Sequence, residues 1–166
     1  MSKDAIVLLR DDHKAMRKLF RQFEAAGDDA TKTKDRLAKQ IIEGLTVHTY
    51  IENECMYPQV RALLPDLEDD ILESYEEHHV ADVLVFELSG MSADAERFDA
   101  KMTVLIENVE HHMDEEEIDW FPKVRAGLGR KQLQELGAQM LELKGKAPRS
   151  PAQPSALKKA VDAVIA

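Results

Sequence analysis

The sequence predicts an all-α chain, an up-down four-helix bundle with a C-terminal helical extension, and three observations carry that prediction. Long segments place apolar residues three and four apart, the spacing of one buried helix face. No segment has the period-two alternation of a strand. The chain also repeats itself: His48-Thr-Tyr-Ile-Glu52-Asn-Glu-Cys-Met-Tyr57-Pro58 returns as His112-Met-Asp-Glu-Glu116-Glu-Ile-Asp-Trp-Phe121-Pro122, at an offset of 64. Both copies run on into Val-Arg-Ala, so the shared pattern is H-x3-E-x4-[YF]-P-x-V-R-A-x-L. Upstream, Asp12-His13 precedes His48 as Glu77-His78 precedes His112. Two similar halves, each a pair of helices, make the bundle.

The first helix is expected over about residues 3–26, with Leu9, His13, Met16, Phe20 and Phe23 on its buried stripe. Gly27-Asp28-Asp29 ends it, and Thr31 is read as the cap of the next. The second helix spans about 32–64, with Ile41, Leu45, His48, Glu52 and Cys55 in register and a bend or interruption expected at Pro58. The third, about 67–88, carries Ile71, Tyr75, His78, Asp82 and Val85. Ser92 is read as the cap of a fourth helix over about 93–126, striped by Phe98, Met102, Leu105, Val109, His112 and Glu116, with Pro122 repeating the bend. Residues 1–128 thus form the bundle. Residues 129–166 add a shorter helix over 131–144, a Pro-rich linker over 147–154, and a terminal amphipathic helix with Leu157, Val161, Val164 and Ile165.

Bulk properties narrow the function. Charged residues make up 33% of the chain and aromatics 5%, and the net charge is −10. An acidic chain lacks the basic face that nucleic acid or an anionic membrane demands, so neither partner is expected. No apolar run spans a bilayer and no signal-peptide pattern opens the chain, and a lone Cys55 makes no internal disulfide; a cytoplasmic protein is expected, as a monomer or weak dimer.

Four histidines on buried stripes, two with a glutamate one turn later, imply a metal. Burying two carboxylates and four imidazoles without a cation is costly, and a cation converts that cost into binding energy. Six donors are too many for one tetrahedral zinc and suit a dinuclear site in a bundle core. Imidazole with carboxylate suits iron, manganese or zinc, and the absence of thiolate favours iron.

The doubled H-x3-E-x5-P pattern resembles the hemerythrin family, specifically the bacterial HHE cation-binding domain, over about residues 5–126. The resemblance implies a hemerythrin-type bundle holding two iron ions with an oxo or hydroxo bridge, manganese or zinc standing as substitutes. On matching positions it implies His13, His48, Glu52, His78, His112 and Glu116 as metal ligands, both carboxylates bridging. Oxygen-carrying members have H-x3-H on the third helix, where this chain has His78 and Asp82. Asp82, a further candidate ligand, either replaces that histidine, leaves its place to water, or pairs with Arg17. Helical phase selects His78 over His79 and His112 over His111. The functions open to such a centre are binding or sensing of O2 or nitric oxide, catalase- or peroxidase-like consumption of H2O2 in oxidative-stress defence, and iron storage or homeostasis; a purely structural metal is the remaining alternative.

Overall fold

The computed structural model describes residues 3–154. The predicted terminal helix at Leu157, Val161, Val164 and Ile165 lies outside those residues. Four helical columns run α1 (Ala5–Ala25); α2 (Thr31–Ile51), which passes through a π-turn (Glu52–Met56) into α3 (Tyr57–Leu63); α4 (Glu68–Ser89); and α5 (Phe98–Glu115), which passes through a second π-turn (Glu116–Trp120) into α6 (Phe121–Gly127). A fifth helix, α7 (Arg130–Lys146), follows. Among the described residues there is no strand. Short connections make successive columns antiparallel, and α1 packs on α2, α2 on α4, α4 on α5 and α5 back on α1, which closes the bundle.

The prolines act differently from the expected bend. Neither interrupts its helix. The turn before each proline widens instead, so that Tyr57 N–H donates to Glu52 O and Phe121 N–H to Glu116 O, five residues back. An inserted residue absorbs the bond that the ring nitrogen of Pro58 or Pro122 cannot make. Two caps also differ from the reading above. Thr31 is the first residue of α2 rather than its cap, which falls on Ala30 without a side-chain bond. Ser92 caps no helix: Asp35 Oδ1 accepts from Ala93 N–H at 2.8 Å, and consecutive turns delay α5 until Phe98. By contrast, Asp4 Oδ1 accepts from Val7 N–H at 2.9 Å and caps α1.

The core is two apolar halves with a polar layer between them. One half holds Met16, Phe20, Ile41, Leu45, Val85 and Phe98. The other holds Leu9, Ile51, Met56, Val60, Trp120 and Val124, and α7 adds Leu133, Leu136 and Met140 to it. Along α1, His13 falls between Leu9 and Met16; along α2, His48 falls between Leu45 and Ile51. The sequence order thus sets the layer. The join of α7 to α1 is close: a Cβ on Gly137 would lie 2.8 Å from Ala5 N. Backbone cannot yield as a side-chain tip can, so Gly137→Ala should cost about 1–3 kcal/mol, as overpacking does. Urea melts of the two proteins would test this, and equal midpoints would contradict it.

Candidate metal centre

The polar layer brings together six of the seven residues that the sequence singled out. His13 and Glu52 are wholly buried, and His48, His78, His112 and Glu116 are at most 6% exposed. They form two sets whose donor atoms lie within 4.8 Å of one another: His13, His48, Glu52 and Glu116, and Glu52, His78 and His112. Glu52 belongs to both sets. Glu116 approaches both as well, with Oε2 3.3 Å from His13 Nε2 and Oε1 3.5 Å from His112 Nε2.

All four imidazoles face the same way. Each keeps Nδ1 for an acceptor outside the layer and turns Nε2 inward. His13 Nδ1 donates to Glu117 Oε1 at 2.8 Å, His48 Nδ1 to Asp12 Oδ2 at 3.3 Å, and His78 Nδ1 to Asn53 Oδ1 at 2.8 Å. His112 Nδ1 is held by Glu77 Oε2 in a short contact. Carboxylate and amide oxygens only accept, so in the neutral ring the proton sits on Nδ1 and the Nε2 lone pair faces the centre, the usual support of a metal-bound histidine. The repeat generates this arrangement. Asp12 and Glu77, each one residue before a layer histidine, hold the histidine of the next column in their own half. Asn53 and Glu117, each one residue after a layer glutamate, hold the histidine of the other half.

The layer's electrostatics suit a bound cation. His13 Nε2, His48 Nε2, Glu52 Oε1 and Glu116 Oε2 are buried without a hydrogen-bond partner. Such orphans are rare and costly in a finished core, and a cation would satisfy all four. Burial, helped by the neighbouring Glu116 charge, pushes the Glu52 carboxyl up to about 7. Glu116 goes the other way: burial is outweighed by the nearby charges of His112, His13 and His48, and its pKa falls below the usual carboxylate range. Against the pull of burial, Glu116 and Glu77 lift His112 to about 9. Burial and the His112 charge push His78 well below 6.5.

One member of the layer went unread in the sequence. Tyr57 is wholly buried, and its O–H donates to Glu116 Oε1 at 2.8 Å while standing 3.3 Å from Glu52 Oε2 and 3.1 Å from His78 Nε2. Residues five apart on an α-helix point about 140° apart, but the π-turn brings Tyr57 back over Glu52. In the second half the same turn places Phe121, whose ring stacks on His13 at 5.7 Å. At this position the halves differ by one atom, the phenol oxygen beside His78 and His112. Its pKa is raised well above the tyrosine range by burial, with Glu116 and Glu52 adding to the effect.

Asp82 is the seventh candidate, and it lies apart from the other six. It belongs to neither donor set and lines a groove with Thr46, Tyr50, Asn53 and Pro151. Its pairing with Arg17 is also absent, because Arg17 donates to Glu117 Oε1 and Asp114 Oδ1, both at 2.8 Å. Burial raises Asp82 to about 6, and a carboxyl raised in this way loses its stabilising contribution as pH climbs through that value. Asp82→Asn should therefore leave the metal content unchanged and raise the melting temperature at pH 8; a fall in metal per chain would contradict this placement. Of the flanking histidines, His111 is exposed and His79 half-buried.

Three comparisons bear on this geometry. The family model described as the hemerythrin HHE cation binding domain matches residues 4–124. A crystal structure of a hemerythrin HHE cation binding domain-containing protein from Mycobacterium kansasii superposes with a TM-score of 0.71 at 22% identity, over 87% of this chain and 89% of that one. A relative from Nostoc sp. (strain PCC 7120), named DNA nickase, is 27% identical over 139 residues, which are 84% of this chain but 38% of that protein. With its duplicated H-x3-E columns and its four inward-facing imidazoles, the chain belongs to the hemerythrin HHE cation-binding family.

Proposed function

We propose that the chain is a non-haem di-iron protein that binds or reacts with O2, H2O2 or nitric oxide, with a lean toward consuming peroxide. The iron would be held by His13, His48, Glu52, His78, His112 and Glu116, with the Tyr57 phenol standing beside the set as a proton donor. The observation that carries this reading is the common orientation of the imidazoles, four Nε2 atoms around two shared carboxylates. An iron pair held by these residues would supply redox equivalents and exchangeable positions for small oxygen or nitrogen ligands.

The protein's own residues support the choice of ligand. A cavity of about 380 Å³ opens between α1 and α2 and reaches His13 and His48. Met16, Leu19, Leu45, Val47 and Met113 line it, which suits small uncharged molecules. At its rim Lys144 pairs with Asp12 and Arg149 with Glu43. Tyr57 holds a proton 2.8 Å from Glu116 Oε1, placed to pass it inward. Oxygen donors in place of a fifth imidazole favour turnover over storage. The relative's nicking activity stays with that protein, because a net charge of −10 opposes a grip on phosphate.

Stopped-flow decay of H2O2 on the iron-loaded protein tests the reading. The wild type should consume peroxide, and Tyr57→Phe, which makes the halves alike at that position, should do so at least about tenfold more slowly if the phenol moves a proton. A wild type that leaves peroxide untouched while holding O2 reversibly would replace the enzymatic reading with a carrier or sensor.

A further inference from the structure

The centre has a second approach, and its chemistry is opposite to that of the first. On the α4–α5 side a cavity of about 230 Å³ runs from the surface to His112 and Glu116. Its wall carries Asp70, Glu73, Glu77, Glu115 and Asp119. Lys123 partly neutralises the rim, reaching Asp70 Oδ2 at 3.2 Å and Asp119 Oδ2 at 2.8 Å. That leaves Glu73, Glu77 and Glu115 without a lysine or arginine partner among the described residues.

At this cavity stands a donor set separate from the buried one: Glu77, His111 and Glu115, whose donor atoms lie within 4.8 Å of one another. His111 Nε2 is 3.1 Å from Glu115 Oε1 and 3.9 Å from Glu77 Oε1. His111 is 64% exposed, so the set meets solvent. Glu77 links surface and interior, because its other oxygen holds His112 Nδ1. A further feature of the same wall points to an occupant. Trp120 is 3% exposed, and its indole N–H is buried with no acceptor. Trp120 lines the cavity, and an unpartnered buried donor on a carboxylate-lined wall marks a place for an oxygen acceptor.

We propose that Glu77, His111 and Glu115 form a loading port for divalent cations, which take a hydrated metal from solution and deliver it along the acidic cavity to the buried layer. The port's use rests on the buried metal centre, but its existence as a binding site does not. Histidine with two carboxylates suits first-row divalent ions. A cavity walled by one sign of charge concentrates counter-ions and speeds their arrival by about 10–10³-fold. The protein then has two doors, an apolar one for its ligand and an acidic one for its metal.

Stopped-flow uptake of Co²⁺ by the chelator-treated protein, read by the cobalt absorption bands and followed by metal analysis, tests the port. His111→Ala and Glu115→Gln should load on the order of tenfold more slowly than wild type, yet, once weakly held metal is stripped by gel filtration, retain the same final two ions per chain. Glu43→Gln, at the mouth of the apolar cavity, should load at the wild-type rate. Equal rates in all four proteins, with two ions bound, would overturn the port and leave the centre standing; a wild type that takes up no cobalt would overturn both. A second measurement stands apart from the centre. With the buried layer filled by zinc, Mn²⁺ should broaden the NMR signals of the His111 ring in wild type but not in Glu115→Gln. Absence of broadening in wild type would contradict the port.

Discussion

Glu52→Gln should empty the centre more completely than any other isosteric change, and it should reverse its effect on stability when the metal is removed. Glu52 alone belongs to both donor sets, and it is wholly buried. The metal-loaded protein should lose occupancy of both positions and about 3–5 kcal/mol, the usual cost of breaking a buried charge pair. In the chelator-treated protein at pH 8 the sign should invert. There the wild type must bury an ionised carboxylate whose pKa burial has pushed up to about 7, and glutamine carries no such charge. Thermal melts of both proteins, with metal and with chelator, give the four numbers needed. A glutamine variant less stable than wild type in both states would mean that Glu52 is an ordinary structural carboxylate.

The second large effect is the pH dependence of the chelated protein. Glu52, raised from 4.5 to about 7, stabilises the fold fully below 4.5 and loses that contribution as pH rises through 7. His112, raised from 6.5 to about 9, contributes fully below 6.5 and loses that through 9. Glu116, Glu117 and Asp12 are depressed, so their contributions are present above the ordinary carboxylate range and lost as pH falls below it. The metal-free protein should therefore be most stable between about pH 4.5 and 6.5 and weaken steadily toward pH 9. Metal reverses the trend, because its ligands must be deprotonated and affinity grows with pH. The gap in melting temperature between loaded and chelated protein should widen from pH 6 to 9. A gap that narrows would count against ligation by these groups.

The sequence made the bundle and most of its centre legible because both depend on α-helical phase. His13, His48, His78 and His112 sit on apolar stripes, and the same phase turns His111 outward. The repeat then supplied what a single motif could not, since two H-x3-E columns imply a shared site. What was missed lies where the period changes. Tyr57 was visible at a repeated position, but straight α-helical counting points it away from Glu52, and only the π-turn before Pro58 brings it back. Asp82 is the mirror case: it shares the α-helical face of His78, yet it ends in the groove beside Asn53 and Pro151. The outer acceptors Asp12, Asn53, Glu77 and Glu117 carried a signal too, since each adjoins a layer residue in both halves. Ser92 looked like a cap, but an aspartate from α2 takes the neighbouring backbone donor.

The central claim is a two-metal layer in which four Nε2 atoms, two carboxylates and one phenol oxygen face the same ions. An iron-edge anomalous difference map from crystals of the iron-loaded protein tests it most directly. Two peaks are expected inside the bundle, one beside His13 and His48 and one beside His78, His112 and Tyr57, with Glu52 and Glu116 reaching both. A single peak, or iron found only at Glu77, His111 and Glu115 on the surface, would contradict it.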